Sequence, residues 1–230
     1  KREDANLQTL YSIEVLLYRL LVHYGNINDT KFIKEIMSNP ESLMEIIDKT
    51  YLSSDENERA AEIEQVKNDN SYALLGWHIF YTLRQTPFVD SNNTIDEVAL
   101  NNYIDQLQTL GNAKHKIKGV NTVIGELLGN YPETEDYPPI PICDIIERLN
   151  NKEVNNGFRT RLYNKRGVTV RPAYEGGTLE KNEADKYKKY ADKIRYTHPI
   201  VCSIFDDLSR DYYQIAKNKD IRVKIEKMEF

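Results

Sequence analysis

The stretch TLEKNEADKYKKYADKIRYTHPIVCSIFDDLSRDYYQIA, residues 178–216, predicts two amphipathic helices in immediate succession. Apolar residues recur every three or four positions in both parts, which is the period of an α-helix that buries one face. The first run extends from about Thr178 to Tyr196 and the second begins at Pro199, so a turn of two or three residues, THP, joins them. Because a link this short makes two helices antiparallel neighbours, we predict an αα-hairpin at the end of the chain.

Helical spacing continues through the rest of the chain. A long helix is predicted from about Glu56 to Leu83, and its second half, YALLGWHIFYTL, is apolar on nearly every side. We therefore expect that half to be central and buried. The best candidate for a strand is GVTVRP, residues 167–172, and no run alternates long enough to indicate a sheet. The sequence predicts an all-α fold, either an irregular multi-helix bundle or a short α-solenoid, that ends in the hairpin.

The segment ETEDYPPIP, residues 133–141, indicates a domain boundary near residue 137. Consecutive prolines lack amide donors and disfavour helix. We predict an N-terminal helical part, residues 1–137, and a C-terminal helical part, residues 138–230, with the alternative of one continuous domain. The first part is acidic, with 12 Lys and Arg against 22 Asp and Glu, and the second part is mildly basic.

The stretch FRTRLYNKRGVTVRPAYEGG, residues 158–177, carries five basic residues and three glycines in a chain whose net charge is −5. Guanidinium groups and the free amides that begin a helix both favour phosphate or carboxylate. The spacing matches neither a phosphate-binding P-loop nor a dinucleotide-binding loop. The alternative is a connector between helices, whose arginines pair with carboxylates of the same chain, such as those of the acidic N-terminal part, or with carboxylates of a partner. The anion-binding candidates are Arg159, Arg161, Lys165, Arg166 and Arg171.

Sixteen tyrosines are present, and several of them crowd the last two predicted helices. Tyrosine is common at protein interfaces because one ring gives a large contact area at low entropic cost. Aromatic rows also stack nucleic-acid bases, and the Lys-rich run KYKKYADKIRY, residues 186–196, is where that interpretation gains support. The candidates for a partner surface are Tyr187, Tyr190, Tyr196, Tyr212 and Tyr213.

No motif for catalysis or for metal binding is recognisable, so we predict no enzyme, no metal and no cofactor. His198 and Cys202 are four residues apart and form a candidate dyad, although the apolar surroundings of Cys202 favour an inert thiol. Cys143 and Cys202 are predicted to be reduced and buried. No apolar run approaches the length of a membrane span, so we predict no membrane partner and a cytoplasmic location. The absence of an initial Met favours a piece of a longer protein.

Three segments carry a resemblance to known proteins. NPESLMEIIDKTY (39–51), YALLGWHIF (72–80) and residues 157–216 resemble the C-terminal helical region of long, poorly characterised bacterial proteins, which is similar to helical repeats. The resemblance implies a C-terminal helical module of a larger protein and supplies no reaction.

Two functional hypotheses follow. The first is a non-enzymatic protein-interaction, scaffold or sensor module of a larger bacterial multidomain protein. It would bind a protein partner or other domains of the same polypeptide. The alternative is a module that binds nucleic acid or a nucleotide through the basic stretch 158–177.

Overall fold

A computed structural model describes residue 18, residues 30–167 and residues 175–226. These residues form ten α-helices and no β-strand, with one isolated bridge between Val89 and Ile95. The predicted all-α class and the terminal hairpin are confirmed. The helices are α1 (Lys31–Ser38), α2 (Pro40–Thr50), α3 (Glu56–Asn68), α4 (Ser71–Thr82), α5 (Glu97–Ala113), α6 (Ile117–Gly129), α7 (Ile140–Leu149), α8 (Lys152–Lys165), α9 (Thr178–Ile194) and α10 (Pro199–Glu226).

The chain divides into two compact units, Lys1–Tyr131 and Pro132–Phe230. The division lies at the start of the proline-rich segment on which the predicted boundary near residue 137 rests. Within the described part of the chain, every helix is too short or too polar to span a bilayer.

Helix α2 is the centre of the first unit and packs against α1, α4, α5 and α6. Its start is set locally, because the Asn39 side chain accepts a hydrogen bond from the Glu41 amide at 3.0 Å. Pro40 occupies the first turn, where no amide hydrogen is needed. The fully buried side chains of this core include Phe32, Ile33, Ile36, Leu43, Met44, Ile47, Leu107 and Val120.

The helix predicted over 56–83 is two helices, so that prediction is wrong. Helix α3 ends at Asn68, and Asp69 accepts hydrogen bonds from the Ser71 amide at 2.9 Å and from the Ser71 hydroxyl at 2.5 Å. Short polar side chains that bond to nearby amides in this way compete with a continuous helix. The signal was present in the sequence as Asn68, Asp69 and Asn70 in succession.

In the second unit, α9 packs along α10 as an antiparallel hairpin, and α7 and α8 pack against α10. The turn of the hairpin consists of the four residues between Ile194 and Pro199. Aromatic rings fill much of the core, where Tyr187 stacks on Tyr212 with centroids 5.8 Å apart. The fully buried residues include Phe158, Leu162, Tyr187, Phe205, Leu208 and Tyr212.

The predicted connector 158–177 begins as a helix. Residues 158–165 are the second half of α8, which Asn151 caps by accepting from the Val154 amide at 3.1 Å. The helix ends before Gly167, whose φ of +67° is favourable for glycine. Most of the strand candidate GVTVRP lies outside the described residues.

Carboxylates from neighbouring helices cap both helices of the hairpin. Glu147 of α7 accepts from the amide of Ile200 at 2.7 Å and from the amide of Val201 at 3.0 Å. Asp220 of α10 accepts from the Gly177 amide at 2.8 Å, just before α9. A negative group at a helix N-terminus satisfies free amides and the helix dipole. These contacts connect α10 to α7 at one end and to α9 at the other.

Candidate functional site

The anion-binding candidates Arg159 and Arg166 form ion pairs with carboxylates of the same unit. Arg159 of α8 pairs with Asp211 of α10. The Nη2 atom of Arg166 lies 2.8 Å from Oε1 of Glu180 of α9. These pairs fit the predicted connector, whose arginines were expected to pair with carboxylates of the same chain or of a partner. The carboxylates belong to the C-terminal helices and not to the acidic N-terminal part.

Glu180 is the centre of a buried charge cluster. Its side chain is 1% exposed, and Nζ of Lys219 lies 2.9 Å from the same Oε1 atom that Arg166 contacts. The guanidinium of Arg166 also lies 5.6 Å from the ring centroid of Tyr212. A buried carboxylate needs such partners, because an uncompensated charge in the interior is costly. The cluster joins the end of α8 to the start of α9 and the end of α10.

The structure places the other described basic candidates, Arg161 and Lys165, in the core and beside an aromatic ring. Arg161 is buried within the second unit, and Nζ of Lys165 lies 5.8 Å from the ring centroid of Tyr137. Arg171 lies outside the described residues. The four described candidates therefore include two that neutralise carboxylates and one that is buried.

The tyrosine candidates divide into core and surface. Tyr187 and Tyr212 are buried, and the Tyr187 hydroxyl donates to the carbonyl of Leu162 at 3.1 Å. Burial raises the pKa of Tyr212 to about 12 and raises the pKa of Tyr187 as well. These two residues are therefore core residues of the second unit and do not form a partner surface.

The remaining three tyrosine candidates are partly or fully accessible. Tyr196, in the turn of the hairpin, is 96% exposed. Tyr213 donates a hydrogen bond to Asp185, and Tyr190 packs on Tyr137 with ring centroids 4.7 Å apart. Tyr196 is the candidate that most clearly presents its ring to a partner.

The Lys-rich run along α9 borders an open groove of about 620 Å³. Lys186 pairs with Glu133 at 3.2 Å and with Glu183 at 2.7 Å. The Lys193 ammonium donates to the carbonyls of Glu135 and Tyr137. The ammonium groups of Lys186 and Lys193, which line this groove, thus already contact oxygen atoms of the same unit.

The candidate dyad does not assemble. The two ring nitrogens of His198 lie 2.9 Å from Oδ1 of Asp144 and 2.8 Å from the hydroxyl of Thr197, so neither contacts Cys202. The Cys202 thiol is buried, and burial raises its pKa, which lowers its reactivity at neutral pH. Both cysteines are free and buried, as predicted. Among residues 18, 30–167 and 175–226, no three His, Cys, Asp or Glu side chains converge as metal ligands would.

A surface that the sequence analysis missed lies on α4. We expected α4 to be buried on nearly every side, but its fully buried residues are confined to Gly76, Ile79 and Phe80. On the opposite side Leu74, Trp77 and Tyr81 are 50%, 50% and 66% exposed. Because these three are spaced i, i+3 and i+7, they form one stripe along the helix. We call Leu74, Trp77 and Tyr81 the α4 stripe.

None of the protein-family models, curated protein sequences or solved structures compared with the chain matches it. What the structure itself shows in the described residues is an all-α fold with two compact helical units. The resemblance to bacterial helical-repeat-like proteins stays a prediction.

Proposed function

We propose that this chain is a non-enzymatic protein-interaction module, a scaffold or sensor part of a larger bacterial multidomain protein. Its partner is another protein or another domain of the same polypeptide. The observation that supports the proposal is the α4 stripe, an apolar and aromatic surface on a helix that contains no Asp, Glu, Lys or Arg. Contiguous apolar surface of this kind is typical of sites where proteins bind one another.

The composition of the α4 stripe fits this role. Trp and Tyr are enriched among the residues that contribute most to binding energy. Fully covering one aromatic side chain buries about 150–250 Å². Covering the exposed half of Trp77 and Tyr81 would therefore remove about 200 Å² from water. At about 25 cal/mol per Å² this is worth about 5 kcal/mol before the costs of association.

The experiment compares three versions of the chain as bait in extracts of the source cell. The stripe variant carries Leu74→Glu and Tyr81→Glu, which place charge on exposed positions. The control carries Val98→Glu, because Val98 of α5 is 72% exposed and apolar but lies outside the stripe. We expect a specific partner to be retained by the parent and the control and lost by the stripe variant. If every captured protein binds all three baits equally, the proposed role of the stripe is wrong.

The alternative, nucleic-acid or nucleotide binding through residues 158–177, loses support from the ion pairs of Arg159 and Arg166. Its test is a titration with labelled oligonucleotides and nucleotides at two salt concentrations. Binding through phosphate contacts must weaken steeply as salt rises. Binding with that salt dependence would favour the alternative over the interaction module.

We also propose a cytoplasmic location. The free, buried state of Cys143 and Cys202 supports it, because reducing compartments keep thiols free. Fractionation of the source cell would test this assignment.

A further inference from the structure

Helix α3 is attached to the first unit by very few of its side chains. Within α3, Glu62 is the one residue that is not exposed to solvent. Oε1 of Glu62 lies 2.5 Å from Nζ of Lys116, and Oε2 of Glu62 accepts a hydrogen bond from the Ser53 amide at 2.7 Å. One turn earlier, the Glu58 carboxylate accepts from the Ser53 hydroxyl at 2.7 Å. Because α3 buries no apolar side chain, these carboxylates are its principal attachment.

Lys116 is a buried cation that holds Glu62 and the end of α2 together. Its side chain is 2% exposed, and its ammonium donates to the carbonyls of Asp48 and Tyr51 at 3.1 and 2.6 Å. The Asp48 carboxylate lies farther away, at 3.7 Å, and also pairs with Lys114. A buried ammonium needs a negative charge beside it. Loss of the Glu62 charge would therefore draw Lys116 towards the Asp48 carboxylate and weaken its hydrogen bond to the Tyr51 carbonyl.

Tyr51 connects this cation to the α4 stripe. Its ring centroid lies 5.2 Å from that of Trp77 and 6.1 Å from that of Phe80, both on α4. The ring also lies against α6, where a Cβ atom added at Gly119 would be 2.6 Å from Cγ of Tyr51. A ring packed this closely between two helices cannot move without displacing its neighbours. A shift of the Tyr51 backbone is therefore passed on to Trp77, which is half exposed in the stripe.

We propose that α3 is a detachable strap, and that its release changes the α4 stripe through Lys116 and Tyr51. In the closed state Glu62 holds Lys116, and Lys116 holds the Tyr51 carbonyl. The Tyr51 ring in turn supports Trp77. In the open state α3 leaves the unit while the core helices stay folded, which is how the least stable segments of a protein open.

The strap gives the interaction module a means of regulation. This inference rests on the proposed function, since it adds a controlling contact to the surface that binds the partner. Linkage between two sites acts in both directions. A partner that displaces Trp77 on binding the α4 stripe would therefore also change how readily α3 detaches.

The test uses two variants of the whole chain that each remove one negative charge from α3. Glu62→Gln breaks the strap contact, because an amide has one acceptor oxygen in place of the two that contact Lys116 and the Ser53 amide. Glu64→Gln is the matched control, since Glu64 pairs with Lys67 at 3.4 Å and both side chains are 68% exposed.

Two readouts follow the strap and the stripe separately. Amide hydrogen exchange, measured by mass spectrometry, should become about tenfold faster in α3 for Glu62→Gln and stay slow in α5. Trp77 is the only tryptophan of the chain, so acrylamide quenching of the intrinsic tryptophan fluorescence reports on the stripe. We expect Glu62→Gln to make Trp77 more accessible to acrylamide, because the supporting Tyr51 ring moves. Glu64→Gln should match the parent in both measurements.

Replacements of Tyr51 test the transmission from the strap to the stripe. Tyr51→Phe keeps the ring, so Glu62→Gln should increase the quenching of Trp77 in this background as it does in the parent. Tyr51→Leu removes the ring contact, so Glu62→Gln should then accelerate exchange in α3 and leave the quenching unchanged. If Tyr51→Leu unfolds the first unit, the comparison of Glu62→Gln with Glu64→Gln still decides the outcome.

Three results would overturn the inference: equal exchange in α3 for Glu62→Gln and Glu64→Gln, faster exchange in α3 and α5 alike for Glu62→Gln, or unchanged quenching of Trp77. These measurements use the chain alone and do not depend on a partner. The bait experiment on the α4 stripe reports on the proposed function separately. If the stripe variant loses its partner and Glu62→Gln behaves like the control, the strap is wrong and the interaction module stands.

Discussion

Replacing Glu180 with Gln should destabilise the second unit more than any surface charge substitution. The substitution keeps the size of the side chain and removes its negative charge. Arg166, with a side chain 16% exposed, then loses the carboxylate at 2.8 Å, whereas Lys219 is 35% exposed and can reach water. The cost therefore falls mainly on Arg166.

The expected magnitude follows from the burial of the pair. Removing one partner of a fully buried ion pair costs about 3–5 kcal/mol. Because Arg166 keeps some access to water, we expect a loss of about 2–4 kcal/mol in the free energy of unfolding. With an m-value of about 2 kcal/mol/M, the urea midpoint falls by about 1–2 M.

The assay is urea unfolding followed by far-ultraviolet circular dichroism, with two comparison variants. Asp207→Asn removes an ion pair with Arg210 that is 46% and 75% exposed, and should leave the midpoint unchanged. The double variant Glu180→Leu with Arg166→Met replaces charge by apolar volume and should cost less than Glu180→Gln alone. If Glu180→Gln shifts the midpoint no more than Asp207→Asn does, the buried charge cluster does not stabilise the unit as argued.

Three further predictions concern the same physical principles. Gly177→Val should lower the melting temperature, because a Cβ atom at Gly177 would lie 2.3 Å from the carbonyl oxygen of Ala216. A melting curve like that of the parent would contradict the close approach of α10 to Gly177. The free energy of unfolding should fall as the pH rises from about 10 to about 12, because burial raises the pKa of Tyr212 from 10.0 to about 12 and the unfolded state therefore ionises first. Alkaline titration followed by circular dichroism measures this loss, and Tyr212→Phe should reduce it. Lys116→Met should loosen the attachment of α3, because Glu62 of α3 loses the ammonium group that it contacts. Amide hydrogen exchange should then become faster in α3 and stay slow in α5. Unchanged exchange in α3 would refute the role of Lys116.

The helical architecture was predictable because its signals are local. The apolar spacing of residues 178–216 predicted the hairpin, and the structure forms it as α9 and α10. The break after Asn68 was also readable in principle, since Asp69 bonds to the amide and hydroxyl of Ser71 two residues later. Hydrogen bonds and apolar contacts between residues two to four positions apart in the sequence depend only on the side chains of that short segment.

The surfaces were not predictable in the same way. Trp77 lies in an apolar run and is nevertheless half exposed, because exposure depends on how many neighbouring elements cover the helix. Tyr187 and Tyr212 look like other tyrosines in the sequence, but packing of α9 on α10 buries them together. The same packing leaves Tyr196, in the turn, fully open to solvent.

From the order of residues alone, one learns that the chain is helical and where most helices begin and end, because hydrogen bonds and caps within a helix join residues a few positions apart. Which charges neutralise each other, and which apolar side chains stay exposed, emerges only when the helices pack. Glu180 meets partners 14 and 39 residues away in the chain, and no spacing pattern encodes such distances. Arg159 and Arg166 of the basic stretch 158–177 therefore neutralise carboxylates of the same unit. Helix α4, which was expected in the core, instead exposes the α4 stripe on one side.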